Sequence, residues 1–299
     1  MPSQLFNVLA NKFRENTGFD HLLPRGRRAC KLEIIRQFWA LDKPSRSLIL
    51  ASAQQNPELE VDSMAGIPDP FDFQDPPNLI VSKRGIIVRT DFTDDNAWDS
   101  FCKAVSDSEI EGVKEMQAGQ QAEEADGEDG DESSSEDEEA QAPDTAGSMP
   151  DDDVSTPASD NDTPSSFIIF SSPEHRSILE GASNLSLLRL FNDVNLVHAP
   201  PKPKDATEKP IQHVLVDRDG LQEAYEGRLL WVYDQASNRD QSVRAVSLQG
   251  QTYGSATADS WRARAPFIWE LQLNVDAGTM RIDFNYDYDE RARNFAVWG

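Results

Sequence analysis

The chain has 299 residues, with 53 Asp and Glu against 28 Lys and Arg, two cysteines and a formal net charge of −25. Two thiols exclude a disulfide framework and a cysteine-only metal site, and no apolar run approaches the roughly 18 residues of a membrane span. The acidity argues against direct binding to nucleic acid or to an anionic membrane, because it repels phosphate.

The charge is uneven. Residues 116–166 hold 17 Asp and Glu and no Lys or Arg, which leaves −8 for all other residues, an ordinary globular balance. The N-terminal stretch lacks the continuous apolar core of a secretory signal, so the chain reads as cytoplasmic or nuclear, with Cys30 and Cys102 as buried free thiols.

Residues 1–55 are predicted helical, from Leu5, Val8, Leu9 and Phe13 and then Leu32, Ile35, Phe38 and Trp39 at helical spacing. Pro24–Lys31 lies between the two sets with a small basic excess and reads as a solvated loop or a nuclear-import signal. Recurring prolines make 56–78 a linker. Leu79–Thr90 gives two short apolar β-type runs around a Lys-Arg-Gly turn, and Ala97, Trp98, Phe101, Cys102 and Val105 share one helical face. Thr93, Asp94 or Asp95 suits the cap of that helix, whose free N–H groups and positive dipole end favour such residues.

After the acidic stretch, Ser166–Ser171 is a strand candidate and Pro173–Phe191 one or two helices. Val194–His198 and His213–Asp217 read as strands, Leu221–Tyr225 as a short helix, and Leu229–Asp234 and Ser242–Leu248 as strands. A Gly/Ser/Thr loop follows. Then Phe267–Leu273 and Thr279–Phe284 read as a hairpin with glycine supplying the turn.

These elements predict an α/β or α+β fold, a mixed sheet with flanking helices. The strand–helix unit at 79–106 is too small to bury its own core. The expected organisation is therefore an N-terminal helical segment (1–55), the linker, and one discontinuous domain (79–115 and 167–299). The acidic stretch 116–166 is then a disordered insertion, because its composition cannot offset the entropy of ordering.

The segment Ile86–Trp98 resembles the opening of an uncharacterised domain family of bacteria and fungi. Members begin with an apolar strand, then Arg-Thr-Asp-Phe, a Ser/Thr-Asp pair and a Trp. The match runs through Arg89, Thr90, Asp91, Phe92, Thr93, Asp94, Asp95 and Trp98. Tyr253–Ala265 and Leu271–Asn274 are similar to the fungal branch, so the resemblance covers about 79–106 and 167–295. It implies one domain assembled across the gap, and it implies no activity.

Two carboxylate sets are candidates for chemistry. Val214–Gly220 ends a strand in Asp-x-Asp-Gly, similar to the nucleophile motif of haloacid-dehalogenase-type phosphatases, with Asp217 as nucleophile and Asp219 as acid/base beside Mg²⁺. Leu221 stands where that family has Thr or Val, and no Lys follows Lys209. The alternative is a strand-to-helix turn in which Asp219 caps a helix running through Tyr225. Asp91, Asp94, Asp95 and Asp99 form the second set. With Asp217 and Asp219 they make a divalent-metal candidate if the two strands are adjacent and parallel; helix capping is the competing role.

The four histidines show no ligand spacing. Trp261 with Arg262 and Arg264 offers a partner or anion contact, or packing with surface arginines. Ser133, Ser134 and Ser135 each precede an acid by three residues, the pattern of acidophilic kinases.

The reading is a non-catalytic interaction or regulatory protein without a cofactor. Its expected partners are proteins, among them basic proteins bound through 116–166. The alternatives are a metal-dependent hydrolase using Asp91, Asp217 and Asp219, and an acidic chaperone for basic proteins.

Overall fold

The run Gly85-Ile-Ile-Val has three successive large apolar side chains, so neither face of a strand built from it suits water. In the computed structural model both faces are covered. The structure describes residues 26–55, 84–126, 165–205 and 220–282, with the single positions 9, 24, 215 and 284.

In chain order the elements begin with helices α1 (Arg27–Ala40) and α2 (Lys43–Gln55), strand β1 (Gly85–Arg89), the long helix α3 (Asp95–Asp126) and strand β2 (Phe167–Phe170). Helices α4 (Arg176–Leu179) and α5 (Asn184–Phe191) lead to strands β3 (Asp193–His198), β4 (Leu221–Glu226) and β5 (Leu230–Tyr233). The short α6 (Ser237–Asp240), strands β6 (Ser242–Val246) and β7 (Ser260–Arg264) and helix α7 (Ile268–Asp276) complete the order.

Five strands form a mixed sheet in the order β2-β1-β5-β6-β7. β1 runs parallel to β2 and to β5, while β6 and β7 are antiparallel additions. Side-chain alternation then sorts the core into two clusters. Ile86, Val88, Leu230 and Val232 face α1, α5 and the β3–β4 pair. Ile87, Trp231, Tyr233 and Val243 face α3 and α7, against Trp98, Phe101, Ile268 and Trp269. Each such side chain contributes about 1.5–3 kcal/mol when removed from water, and this makes the sheet the organising layer.

β1, α3 and β2 form a crossover, and the acidic stretch lies within it. One domain is therefore assembled across the interruption. Glu109 on α3 grips the entry to β2, accepting from the Ser166 N–H and, at 3.1 Å, from the Ser165 hydroxyl. The helix itself continues from Met116 through Asp126, beyond the point where the sequence predicted order to end.

Four other expectations change. Within the basic Pro24–Lys31 cluster, Arg27–Lys31 lies in α1 rather than in a solvated loop, and Arg27 and Lys31 reach the Asp193 carboxylate at 3.2 and 3.3 Å. Leu221–Tyr225 is a strand, because six residues of β4 pair antiparallel with β3. Phe267–Leu273 is mostly helix: Ile268, Trp269 and Gln272 are buried at i, i+1 and i+4. Gly278, expected in a hairpin turn, instead ends α7 at φ 72°, its N–H donating to the Val275 carbonyl at 3.1 Å. Ser260–Arg264 is an additional strand, paired with β6 over five residues. Leu9 is buried, and Leu5, Val8, Phe13 and the 213–217 segment apart from Leu215 lie outside the described residues.

Candidate functional site

β1 ends where Arg89 turns toward α3, the side Ile87 also occupies. The residue is only 4% exposed, and its guanidinium carbon lies 4.8 Å from the Phe92 ring centroid and 5.1 Å from that of Trp98. Nε donates to the Asp91 carbonyl at 2.8 Å, and Nη2 donates to the Asp94 carbonyl at 3.2 Å and the Asp95 carboxylate at 2.7 Å. Arg176 covers Phe92 as well, at 5.3 Å. Thr90 ties the loop to the neighbouring strand, donating from its backbone N–H and hydroxyl to the Tyr233 carbonyl.

The acidic residues of this loop have local partners. Asp91 accepts from the Thr93 N–H at 3.0 Å, from the Thr93 hydroxyl, and from the Asn238 amide at 2.8 Å. Partial burial opposes ionisation of Asp91, but the Thr93 and Asn238 hydrogen bonds and Arg89 outweigh it and hold the carboxyl below its ordinary pKa. Asp94 caps α3 by accepting from the Ala97 N–H at 2.9 Å. Asp95 pairs with Arg89, and Asp99 is exposed on α3. Burial and then the Asp99 charge push the half-buried Cys102 thiol up to about 11, so it stays protonated; Cys30 is buried, and both thiols are free.

The structure therefore gathers Asp91, Asp94 and Asp95 into one loop but gives each a different task. Asp217, Asp219 and Ser133–Ser135 lie outside the described residues. Among the described residues the two neighbours of β1 are β2 and β5. Leu215 lies beside β4 instead, its carbonyl accepting from the Glu223 N–H at 2.8 Å. With Leu221–Glu226 a strand, the helix expected to be capped by Asp219 is not there. Among the described residues no group of three His, Cys, Asp or Glu is placed to hold a metal ion.

Two buried polar clusters escaped the sequence reading. Asp234, just after β5, pairs with Arg244 at 3.1 Å and with Arg262, and its Oδ1 accepts from the Ala236 and Ser237 N–H groups. Burial works against the Asp234 charge, but Arg244 and Arg262 prevail and keep its carboxyl below the ordinary value. Arg262 is thus tied to a carboxylate; the signal for it was an alternation of Trp, Arg, Ala, Arg in β7. The Tyr253–Asp259 loop is equally internal, with Ser255 through Asp259 buried. Asn184 donates to the Ala258 carbonyl at 3.0 Å, and Thr257 donates to the Glu223 carbonyl. Burial pushes the Glu223 carboxyl up, opposed by Arg189 and by the Tyr225 hydroxyl 2.9 Å away.

Farther along the α3 face that carries Trp98, Phe101 and Val105, an open groove of about 610 Å³ lies between α3 and α7. Gly112 lets the two helices approach, because a Cβ there would collide with the Trp269 ring. Met116 and Leu273, 48% and 42% exposed, border the groove, and its charged residues are Glu111, Glu115 and Glu270. Among the described residues none of these three carboxylates is in an ion pair, and no Lys or Arg lines the groove. No helix among the described residues is long and apolar enough to cross a membrane.

No protein-family model, curated protein or solved structure matches the chain.

Proposed function

We propose that this chain is a non-catalytic protein-interaction module. Its Arg89–Trp98 loop holds β1, β5 and α3 together, and the α3–α7 groove faces the partner. The observation that carries this reading is the use of the loop's acids. Asp91 closes a turn and binds Asn238, Asp94 caps a helix, and Asp95 neutralises a buried arginine. A carboxylate already committed to internal donors is a poor nucleophile and a poor metal ligand, since either role would break those bonds.

The test sets this reading against metal-dependent hydrolysis. The full chain is titrated with Mg²⁺, Mn²⁺ and Zn²⁺ by calorimetry and assayed with 4-nitrophenyl phosphate. We expect no site-specific metal binding and no turnover, and Asp91→Asn to change thermal stability alone. Metal-dependent turnover abolished by Asp91→Asn, Asp217→Asn or Asp219→Asn would overturn the proposal.

A further inference from the structure

The groove has a chemistry that selects an occupant. Its base is the close approach of Gly112 and Trp269, and its apolar border is Met116 and Leu273. All three of its charges are negative. Glu111 and Glu115 stand four residues apart on α3, which places their Cβ atoms roughly 5–6 Å apart along one helix face. Cations one helical turn apart on a second helix match that spacing, and an apolar side chain between them meets Met116 and Leu273. The α3 backbone then continues to Asp126, into the stretch 116–166 that holds 17 acids and no Lys or Arg.

We infer that the α3–α7 groove receives a basic, apolar-anchored helical segment of a partner protein. This rests on the interaction reading above and deepens it. It also moves the contact with basic partners from the acidic stretch, which supplies steering, to a shaped surface that supplies selectivity.

The test uses the full chain and a fluorescein-labelled 18-residue peptide with Leu at i, i+3, i+4 and i+7 and Lys elsewhere. The control peptide has every Leu replaced by Ser. Anisotropy is read at physiological salt, where exposed long-range attraction is largely screened. The Leu/Lys peptide should bind, and the Ser control should bind at least about tenfold more weakly, since it lacks the anchor. Glu111→Gln with Glu115→Gln and Glu270→Gln should weaken binding about tenfold or more, as three rim charges act together. Met116→Ser with Leu273→Ser should weaken it comparably. These side chains are exposed, and an unchanged thermal transition will verify folding. Replacing the acids of 127–164 by Asn and Gln should change affinity by less than about threefold at this salt.

The inference is overturned if the Leu/Lys peptide fails to bind. It is also overturned if binding ignores the groove substitutions and vanishes with the neutralised acidic stretch, which is polyelectrolyte attraction without a groove. Tighter binding after Arg291→Ser, Arg293→Ser and Trp298→Ser would make the chain's own end the occupant, and would likewise overturn the assignment to a partner. None of these outcomes creates metal-dependent turnover, so a failure of the groove is distinguishable from a failure of the interaction reading.

Discussion

Asp234→Ala tests the energetic reasoning most directly. The Asp234 carboxylate meets the Arg244 guanidinium at 3.1 Å and the Arg262 guanidinium at 2.6 Å, and the Arg244 side chain is only 9% exposed. Removing the acid leaves a buried cation beside a second cation. Breaking a buried pair in this way costs about 3–5 kcal/mol, mostly the penalty of the stranded charge. Arg262 is a third exposed and can rehydrate, which lowers the cost, whereas loss of the bonds to the Ala236 and Ser237 N–H groups raises it by about 1 kcal/mol. The two corrections offset each other, and about 3–5 kcal/mol stands. Urea unfolding followed by tryptophan fluorescence measures it as a fall in midpoint at constant slope. Pairing Asp234→Ala with Arg244→Met should recover at least half the loss, because the stranded charge is gone. The pH dependence has a definite sign. The folded pKa of Asp234 lies below the ordinary 3.8, so its contribution is complete at neutral pH and is lost as pH falls from that value through the folded one. The gap between wild type and Asp234→Asn should narrow on acidification. A cost of Asp234→Ala below about 1 kcal/mol, or no recovery in the double variant, would refute the reasoning.

Arg89→Lys keeps the charge but cannot keep the fork that reaches Asp91, Asp94 and Asp95 while lying against Phe92 and Trp98, and should cost about 1.5–3 kcal/mol in the same unfolding assay. A neutral result would show that the loop does not depend on that geometry. Gly112→Ala drives a methyl into the Trp269 ring and should cost about 1–3 kcal/mol, with a shift in tryptophan emission as the helices separate. Wild-type emission and midpoint would show that the two helices are not in contact there.

What the sequence disclosed depended on how local each signal was. The face of Trp98, Phe101 and Val105 and the apolar run of β1 are periodic over a few residues, and the structure buries them as expected. β4 misled because Leu221-Gln-Glu-Ala-Tyr puts Leu and Tyr four apart among good helix formers. Its strand conformation comes from β3 and from the Gly250 loop, where Gln222 exchanges two hydrogen bonds. Helix α7 misled in the opposite sense. Ile268-Trp-Glu-Leu alternates enough to suggest a strand, and only Gln272 bonding to the Trp231 indole at 2.7 Å reveals the helical face. Asp94 was legible as a cap for the same reason as α3 itself, since the N–H it accepts from lies three residues away. The Asp234 cluster was not, because Arg262 is 28 residues away and its partner emerges only when β6 and β7 pair. The groove needed still more, the meeting of helices on opposite sides of the acidic stretch.

β1 is synthesised early and completed late. Thr90 and the Tyr233 carbonyl it binds are 143 residues apart, and β2 also follows the acidic stretch. At roughly 5–20 residues per second, β1 waits about 7–30 s on the ribosome before β5 exists. Both its edges are open until β2 emerges, and the edge that meets β5 stays open throughout, the condition under which neighbouring nascent chains pair edge to edge. The next long segment to emerge carries 17 negative charges and no positive one. Copies growing side by side on one messenger therefore repel each other during the seconds when their central strands are most able to join.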